Sequence, residues 1–351
     1  EYKPKIDAAR EAIYNLPRVK KFTKKYNQGK IEKYIQSIEA ELEELDYNDP
    51  KDKRKIDSRQ QKITNIRAGV FTTKKEQELI RPVNLGSPVD LPQLMYSDIG
   101  FKFPVIKDNE SGKPSTDEDT LTELRLTVKD PESPKAIFLD KMLELRGLEK
   151  MYKTYILGWS EKVQDDSRLH GRYNIHGTDS NRFSSADPNM QQIPKTSVDP
   201  NIKKQLVAPP GYLYMAFDYS QAELRMMAHL SGDETYLEAF AKGVDPHLGI
   251  AAAKYGVSIE EASKAYEDEM HPDYKLWKVR RKQAKQIAFG LIYGIGAKLL
   301  AVKLSDPKSG IIVTPEEAQK EMDIFFGQHP KLKTFLKKQE KFLRKNGYLV
   351  S

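Results

Sequence analysis

The sequence predicts an α+β protein in which helices predominate. Long stretches carry apolar residues at spacings of three and four, which is typical of amphipathic helices. Two short segments, residues 169–175 and 213–218, instead have the alternating or continuous apolar character of strands. Polar, proline-containing loops separate these segments. The 351 residues are enough to build two or three hydrophobic cores.

Composition excludes several classes of site. The chain has no cysteine, so thiolate catalysis, zinc–cysteine sites and disulfides are excluded. No apolar run approaches the roughly 20 residues that span a bilayer, and no signal peptide opens the chain, so we expect a cytoplasmic protein with no membrane partner. The formal charge of +7 weakly favours a polyanionic partner. Glu1, rather than Met, at the first position predicts a processed or excised start.

The first half of the chain is predicted to be helical. Apolar residues at helical spacing mark a long amphipathic helix: Ile31, Tyr34, Ile35, Ile38, Leu42 and Leu45. The mixed-charge stretch 46–59 predicts an exposed tip between two antiparallel helices. A second helix is expected to begin at Thr116 or Asp117, either of which can cap it. Residues 136–163 predict a third.

The second half alternates short strands with helices. Residues 169–175 predict a strand that leads into the polar loop 176–194. Residues 213–218 predict a short buried strand, and 221–230 a helix after it. Thr314, followed by Pro and by Glu at the third helical position, predicts a capping box that opens another helix.

A stripe of four side chains stands out in residues 280–296. Arg281, Lys285, Phe289 and Tyr293 are four residues apart, so on a helix they lie along one face. The first two are cationic and the last two aromatic. Such a stripe suits a polyanion at one end and a flat ring at the other. By itself, it is equally compatible with an ordinary amphipathic helix that places its aromatic residues in the core.

The segment FDYSQAELR, residues 217–225, can bind a hard metal ion. Asp218 would end a strand, the backbone carbonyl of Tyr219 would lie beside it, and Glu223 would follow on the next helix. Mg²⁺ prefers one or two carboxylates together with substrate phosphates. A strand-end aspartate that only caps the helix at Gln221 is the alternative.

Two polar features flank this segment. The loop 176–194 is rich in groups that can contact base edges and the nucleic-acid backbone, although it also fits a plain surface loop. These side chains are Asn181, Arg182, Asn189, Gln191 and Gln192. Asp245-Pro246 opens a helix with His247 in its first turn, where exposed N–H groups could help hold a phosphate. A core or surface histidine without a ligand is the alternative.

In this order, the segments resemble the polymerase region of the family A DNA polymerases, the DNA polymerase I-like group. DYSQAELR resembles that family's first metal-binding motif, and SNRFSSADPNMQQIP resembles its primer–template loop. RRKQAKQIAFGLIYG resembles its fingers helix, with the signature Arg-x3-Lys-x3-Phe-x3-Tyr-Gly. The resemblance is strong over residues 168–350 and looser over 31–167, which resembles the family's thumb.

The resemblance implies a right-hand polymerase architecture with a helical thumb, an incomplete antiparallel-sheet palm and helical fingers. It divides the chain into an N-terminal helical lead-in (1–30), a thumb-like region (31–160), the first part of the palm (161–234), the fingers (235–328) and a return to the palm (329–351). It implies template-directed DNA synthesis by nucleotidyl transfer, on primer–template DNA, from deoxynucleoside triphosphates. The expected location is then the nucleoid or a virus-infected cell.

The resemblance also implies roles around the metal motif. Asp218 and the Tyr219 carbonyl would bind metal, with two Mg²⁺ ions, or Mn²⁺ in their place, about 3.5–4 Å apart. Glu223 would be the steric gate that excludes a ribose 2′-hydroxyl. Ser220 and Gln221 would lie against the nucleotide.

On the fingers helix, Arg281 and Lys285 would grip the triphosphate with help from His247, and Lys285 could protonate the leaving group. Phe289 would pack on the sugar and base, and Tyr293 would stack at the templating position, where a ring tolerates any base.

The DNA contacts implied by the resemblance lie mainly in the amide-rich loop. Arg182 would contact the minor-groove side of the primer end, beside Asn189 and Gln191. Gln192 stands where many family members have Asn. Gly294, directly after Tyr293, would approach the DNA at the end of the fingers helix.

One departure from the family is expected to matter. The family places its second catalytic carboxylate in a His-Asp-Glu turn near the C-terminus, and this sequence ends at GYLVS without that triplet. We therefore expect either a split polymerase, completed by a C-terminal fragment that carries the second aspartate, or a truncated one. The chain alone is expected to be inactive.

Two other functions remain open at this point. A non-catalytic DNA-binding module could keep the fold, although binding alone would not need Asp218. A single-subunit RNA polymerase shares the palm-and-fingers plan, but a gate at Glu223 would exclude ribonucleotides and favours a DNA product.

Overall fold

The structure is a computed structural model that describes residues 1–178, 182–195, 199–305 and 311–349. It is mostly helical, with one small sheet among these residues. The chain forms two compact units, unit 1 (Glu1–Val207) and unit 2 (Ala208–Ser351), which are described separately. No helix in the described ranges is long and apolar enough to cross a membrane.

Unit 1 is built almost entirely from helices. Their bounds are α1 (Tyr2–Asn15), α2 (Pro17–Glu43), α3 (Pro50–Arg67), α4 (Lys74–Leu79), α5 (Asp90–Tyr96), α6 (Glu118–Thr127), α7 (Pro134–Lys150), α8 (Gly158–Ser160) and α9 (Pro200–Lys204). A π-helical segment, Met151–Leu157, joins α7 to α8, and a 3₁₀ turn covers Met190–Gln192. Asp117 caps α6 by accepting the N–H of Thr120, as the sequence predicted.

The predicted antiparallel pair is α2 and α3, and its apolar stripe packs as expected. Ile35, Ile38 and Leu42 of α2 are buried against Ile56 and Ile63 of α3. The predicted tip is too long, however. Helix α3 already begins at Pro50, because Asp49 caps its first turn and proline is well placed at the first helical position. The exposed turn is therefore only a few residues.

A larger core lies under α1, α2, α5, α6 and α7, with Ile13, Phe22 and Phe138 fully buried. A smaller cluster forms around the π-helical segment, where Tyr155 packs edge-on to Trp159 with ring centroids 5.5 Å apart. The only sheet in the described part of the chain pairs β1 (Arg172–Asn174) with β2 (Ser184–Ala186) in antiparallel register. The described β structure is thus smaller than the predicted α+β class implies.

Unit 2 is a helical body around one core. Its helices are α10 (Ala222–Ser231), α11 (Glu234–Ala241), α12 (Pro246–Tyr255), α13 (Ile259–Glu267), α14 (Tyr274–Ile292), α15 (Ala297–Leu304), α16 (Pro315–Gln328) and α17 (Pro330–Asn346). Tyr236, Leu248, Trp277 and Phe325 anchor the core. The predicted capping box at Thr314 is present at the start of α16.

The buried strand predicted over residues 213–218 is wrong for this chain. Residues 212–219, which we call the exposed apolar segment, have no regular secondary structure and pair with no described strand. Leu213 is 90% exposed and Phe217 is 88% exposed. Apolar composition predicts burial only where a partner strand or layer exists, and the described residues provide none here.

Candidate active site

Helix α14 presents the predicted cationic–aromatic stripe away from its core. The residues that α14 buries are Trp277, Ala284, Ile287, Ala288 and Leu291. Arg281 and Phe289 are half-buried, Lys285 is exposed and Tyr293, at the C-terminal end, is 65% exposed. The aromatic end is therefore not part of the core, which removes the ordinary amphipathic interpretation of this stripe.

The end of α14 is fixed by two glycines. Gly294 has φ +75°, and the N–H groups of Gly294 and Ile295 donate to the carbonyls of Leu291 (3.1 Å) and Gly290 (2.9 Å). This is the Schellman pattern, in which glycine takes the left-handed position. A Cβ on Gly290 would lie 2.8 Å from Cγ2 of Ile295. The two glycines thus stop the helix directly after Tyr293.

Tyr293 joins this end of α14 to α10. Its hydroxyl donates to Oε2 of Glu223 at 2.7 Å, and Glu223 lies in the first turn of α10. The predicted gate and the predicted stacking ring are therefore in contact. A cleft of about 620 Å³ runs along this end of α14, and Phe289, Gly290 and Tyr293 line part of it.

Arg281 is bound to Asp245, the residue at the start of α12. Its Nε and Nη2 donate to Oδ2 of Asp245 at 3.1 and 2.6 Å. The other oxygen, Oδ1, accepts the N–H groups of His247 (2.9 Å) and Leu248 (3.0 Å) and so caps α12. Burial alone would raise the pKa of Asp245, but the Arg281 bond and the backbone donors lower it below its usual value.

His247 lies beside the cationic half of the stripe and is only 1% exposed. Its ring centroid is 5.7 Å from that of Phe289, and neither ring nitrogen has a hydrogen-bond partner in the described part of the protein. Burial is the main cause that lowers the pKa of His247 to about 4; the negative charge of Asp245 acts against it, and the positive charges of Arg281 and Lys285 act with it. The imidazole is therefore neutral near pH 7.

This buried imidazole makes the stability of unit 2 depend on pH. The pKa of His247 is about 4 when folded and near 6.5 when unfolded, so the unfolded chain binds more protons between these values. Stability should fall as pH drops, by about 2 kcal/mol between pH 7.5 and pH 5. His247→Gln should remove most of this slope.

The two tryptophans allow unit 2 to be followed separately, since Trp159 lies in unit 1 and Trp277 in unit 2. In a Trp159→Phe background, urea unfolding followed by Trp277 fluorescence at pH 7.5, 6 and 5 gives the slope of the unfolding free energy of unit 2 against pH. Exposed His229, on α10, provides a matched control, because His229→Gln should keep it. If His247→Gln leaves the slope unchanged, the imidazole of His247 is not the neutral, buried group that the structure indicates.

Asp218 and Tyr219, the predicted metal-binding residues, are both exposed. Both lie in the exposed apolar segment, and Asp218 has no hydrogen bond or ion pair with any described residue. No group of three or more His, Cys, Asp or Glu side chains that could hold a metal occurs in the described ranges. One exposed carboxylate beside a backbone carbonyl fits part of a magnesium site that substrate phosphates would complete.

Ser220 and Gln221 lie at the start of α10. Gln221 has φ +56° and its side-chain oxygen is buried without a partner in the described residues, while Arg225 Nε donates to the Ser220 carbonyl at 3.0 Å. A cavity of about 210 Å³ connects Ser220 and Gln221 with Asp245, so the N-termini of α10 and α12 open on the same space. Such N-termini favour anions.

The amide-rich loop belongs to unit 1. Gln191 and Gln192 are exposed on the 3₁₀ turn, and the Asn189 side chain caps this turn by accepting the N–H of Gln191 at 3.0 Å. The backbone N–H of Arg182 donates to the Thr178 hydroxyl at 2.9 Å. Asn181 lies outside the described residues.

Two residues near these sites were not predicted. Asp245 is 36 positions from Arg281, so no local sequence pattern links them. The Tyr155 hydroxyl donates to the Gln192 carbonyl at 2.5 Å and fixes the 3₁₀ turn from the π-helical segment. Burial raises the pKa of Tyr155, so it remains a hydrogen-bond donor. A π-helix inside a helical run often marks a functional position, but its sequence carries no clear signal.

Comparisons with known proteins agree on one family. The chain matches DNA polymerase family A over residues 53–351. It is 34% identical over 268 residues to DNA polymerase I of Pseudomonas aeruginosa, covering 76% of this chain and 26% of that protein. It is also 34% identical over 271 residues to the thermostable DNA polymerase I of Thermus aquaticus, covering 76% of this chain and 29% of that protein.

The fold agrees as well. The POL domain of Pol1 from M. smegmatis, solved in complex with DNA primer-template and dNTP, superimposes with a TM-score of 0.58 at 30% identity. The match covers 77% of this chain and 43% of that one. The chain spans only about a quarter to a third of the curated relatives it matches. On the family match, which covers most of its length, this chain belongs to DNA polymerase family A.

Proposed function

We propose that this chain binds primer–template DNA and deoxynucleoside triphosphates and serves in template-directed DNA synthesis. The outward-facing stripe of α14 carries this proposal. It carries two cations and two rings on one face of α14, beside the neutral buried imidazole of His247 on α12, and it lies in a chain of DNA polymerase family A. The solved relative with DNA primer-template and dNTP supports the same two ligands.

The reaction that fits these residues is nucleotidyl transfer. The primer 3′-hydroxyl gives up its proton to solvent and its oxygen attacks the α-phosphorus of the incoming nucleotide. A new P–O bond forms, and the bond from that phosphorus to the bridging oxygen breaks, releasing pyrophosphate. Arg281 and Lys285 offset the charge of the triphosphate, and Lys285 is the proposed proton donor to the leaving pyrophosphate. Phe289 packs on the sugar and base, while Tyr293 holds the gate Glu223 and stacks at the templating position.

Asp218 and the backbone carbonyl of Tyr219 would hold Mg²⁺. When bound, the metal supplies positive charge against the transferring phosphoryl group. The described ranges hold no group of three or more His, Cys, Asp or Glu side chains that could bind a metal, so we propose that a further polypeptide segment contributes a second carboxylate. In that case this chain is inactive on its own.

The exposed apolar segment supports this proposal. Residues 212–219 form no helix or strand, end at the metal-binding position and leave Leu213, Met215 and Phe217 in solvent. An exposed apolar segment of this kind is stabilised when neighbouring strands pair with it. We propose that the segment supplying the second carboxylate also provides those strands and completes an antiparallel palm. The right-hand architecture and the segment boundaries predicted from the sequence are part of the same proposal.

DNA binding is the first test. We expect the chain to bind a fluorescent primer–template duplex, and its affinity to fall more than about tenfold between 50 and 200 mM KCl, because bound lysines and arginines release counterions from the phosphates. Fluorescence anisotropy measures both the affinity and the slope. A neutral osmolyte at the same osmolality serves as the control and should leave the affinity unchanged. An affinity that does not vary with KCl would overturn the proposed DNA contact.

A further inference from the structure

We propose that Asp245 is a positioning residue of the nucleotide site. It holds the Arg281 guanidinium by one edge, so that the opposite edge is presented to the triphosphate of the incoming nucleotide. This inference rests on the proposed function, and it assigns to Asp245 a role beyond capping α12.

The two carboxylate oxygens of Asp245 have separate partners. Oδ1 accepts the N–H groups of His247 and Leu248, and Oδ2 accepts Nε–H and Nη2–H of Arg281. The carboxylate cannot rotate without breaking the helix cap. The guanidinium is therefore fixed relative to the N-terminus of α12, although it belongs to α14.

Two of the three remaining N–H groups of Arg281 point from one edge, the edge formed by Nη1 and Nη2. A guanidinium has five N–H groups, and Asp245 takes two of them, which leaves two on Nη1 and one on Nη2. One face of the group lies toward Tyr266, with the guanidinium carbon 5.2 Å from the ring centroid. The edge formed by Nη1 and Nη2 matches the oxygens of a phosphate in a paired arrangement.

Two further observations around Asp245 are consistent with a ligand close to this pair. Asp245 lines the cavity of about 210 Å³ that it shares with Ser220 and Gln221. His247, whose backbone N–H is bound by the same carboxylate, is almost fully buried, and both of its ring nitrogens lack partners in the described part of the chain. A buried polar group without a partner costs free energy unless a ligand completes it.

Capping alone does not need the second oxygen. Asp117 provides a matched comparison in unit 1, because it caps α6 through Oδ1 and binds Lys107 through Oδ2 at 3.1 Å, on an exposed surface. Asp→Asn at either position keeps a good helix cap and weakens the ion pair. The two substitutions therefore make the same chemical change at two different places. Asp245→Asn makes it at the proposed nucleotide site in unit 2, whereas Asp117→Asn makes it in unit 1, far from the stripe in sequence.

The test measures binding of magnesium dATP to the 351-residue chain by isothermal titration calorimetry. We expect Asp245→Asn to raise Kd about tenfold, close to the effect of Arg281→Ala, since a misplaced guanidinium loses its paired phosphate bonds. The double variant should be no weaker than Arg281→Ala, because Asp245 acts through Arg281. Asp117→Asn should bind as the parent chain does.

The possible outcomes distinguish the role of Asp245 from the proposed nucleotide site on which that role rests. If Arg281→Ala weakens binding and Asp245→Asn does not, or tightens it, the role of Asp245 is overturned and the nucleotide site stands. Additive losses in the double variant would likewise overturn it. If Arg281→Ala has no effect, the proposed nucleotide site itself fails. Asp245→Ser keeps a cap without a carboxylate, and it replaces Asp245→Asn if circular dichroism shows that variant to be unfolded.

Discussion

Asp218→Ala should reduce primer extension by about 1,000-fold or more, while primer–template affinity stays within about twofold. Asp218 is the carboxylate proposed to hold the metal, and it is exposed and makes no hydrogen bond or ion pair with any described residue. Its loss removes a metal ligand without disturbing packing. Extension is measured with Mg²⁺ and a labelled primer, in the presence of the segment proposed to provide the second carboxylate.

Asp323 gives the matched control, because it is an exposed aspartate of the same unit on α16. Asp323→Ala should extend primers normally. Asp218→Asn, which keeps the size of the side chain, should be as inactive as Asp218→Ala. Normal extension by either Asp218 variant would exclude this residue from the metal site, and a large loss of DNA affinity would show that its role lies in binding instead.

Glu223→Ala should let the enzyme incorporate ribonucleotides, lowering its preference for deoxynucleotides by about 100-fold. A clash with a 2′-hydroxyl is worth up to a few kcal/mol, and each 1.36 kcal/mol corresponds to a tenfold ratio. The Tyr293 hydroxyl holds the Glu223 carboxylate at 2.7 Å, so the gate does not depend on the glutamate alone. The measurement is kcat/KM for paired ribo- and deoxynucleotides.

Tyr293→Phe tests the same contact from the other side. It keeps the ring that stacks at the templating position and removes the hydroxyl that holds Glu223, so selectivity should fall partway. Glu316→Ala is the control, because Glu316 also lies in the first turn of a helix, α16. Sugar selectivity unchanged in Glu223→Ala would show that another group forms the gate.

Features that depend on near neighbours in the chain could be predicted from the sequence. The cap of α6 at Asp117, the capping box at Thr314 and the α2–α3 pair all follow from residues within a few turns of each other. The arrangement of the α14 stripe could be predicted only in part. Spacing put its side chains on one face, but only the packing of Trp277 and its neighbours shows that this face is outward.

Features that depend on distant partners could not be predicted. The Asp245–Arg281 pair and the Glu223–Tyr293 contact join residues from different helices. The same reason explains the error over residues 213–218. Their apolar side chains are suited to packing against a neighbouring strand or layer, and the described residues supply no such surface.

Residues 212–219 also carry a consequence for how such a protein is produced. A run with Leu213, Met215 and Phe217 in solvent can pair with an open strand edge, including the same run in another copy. This exposure favours self-association and aggregation. Producing the chain together with the segment proposed to pair with this run would cover it and preserve the yield of unaggregated protein.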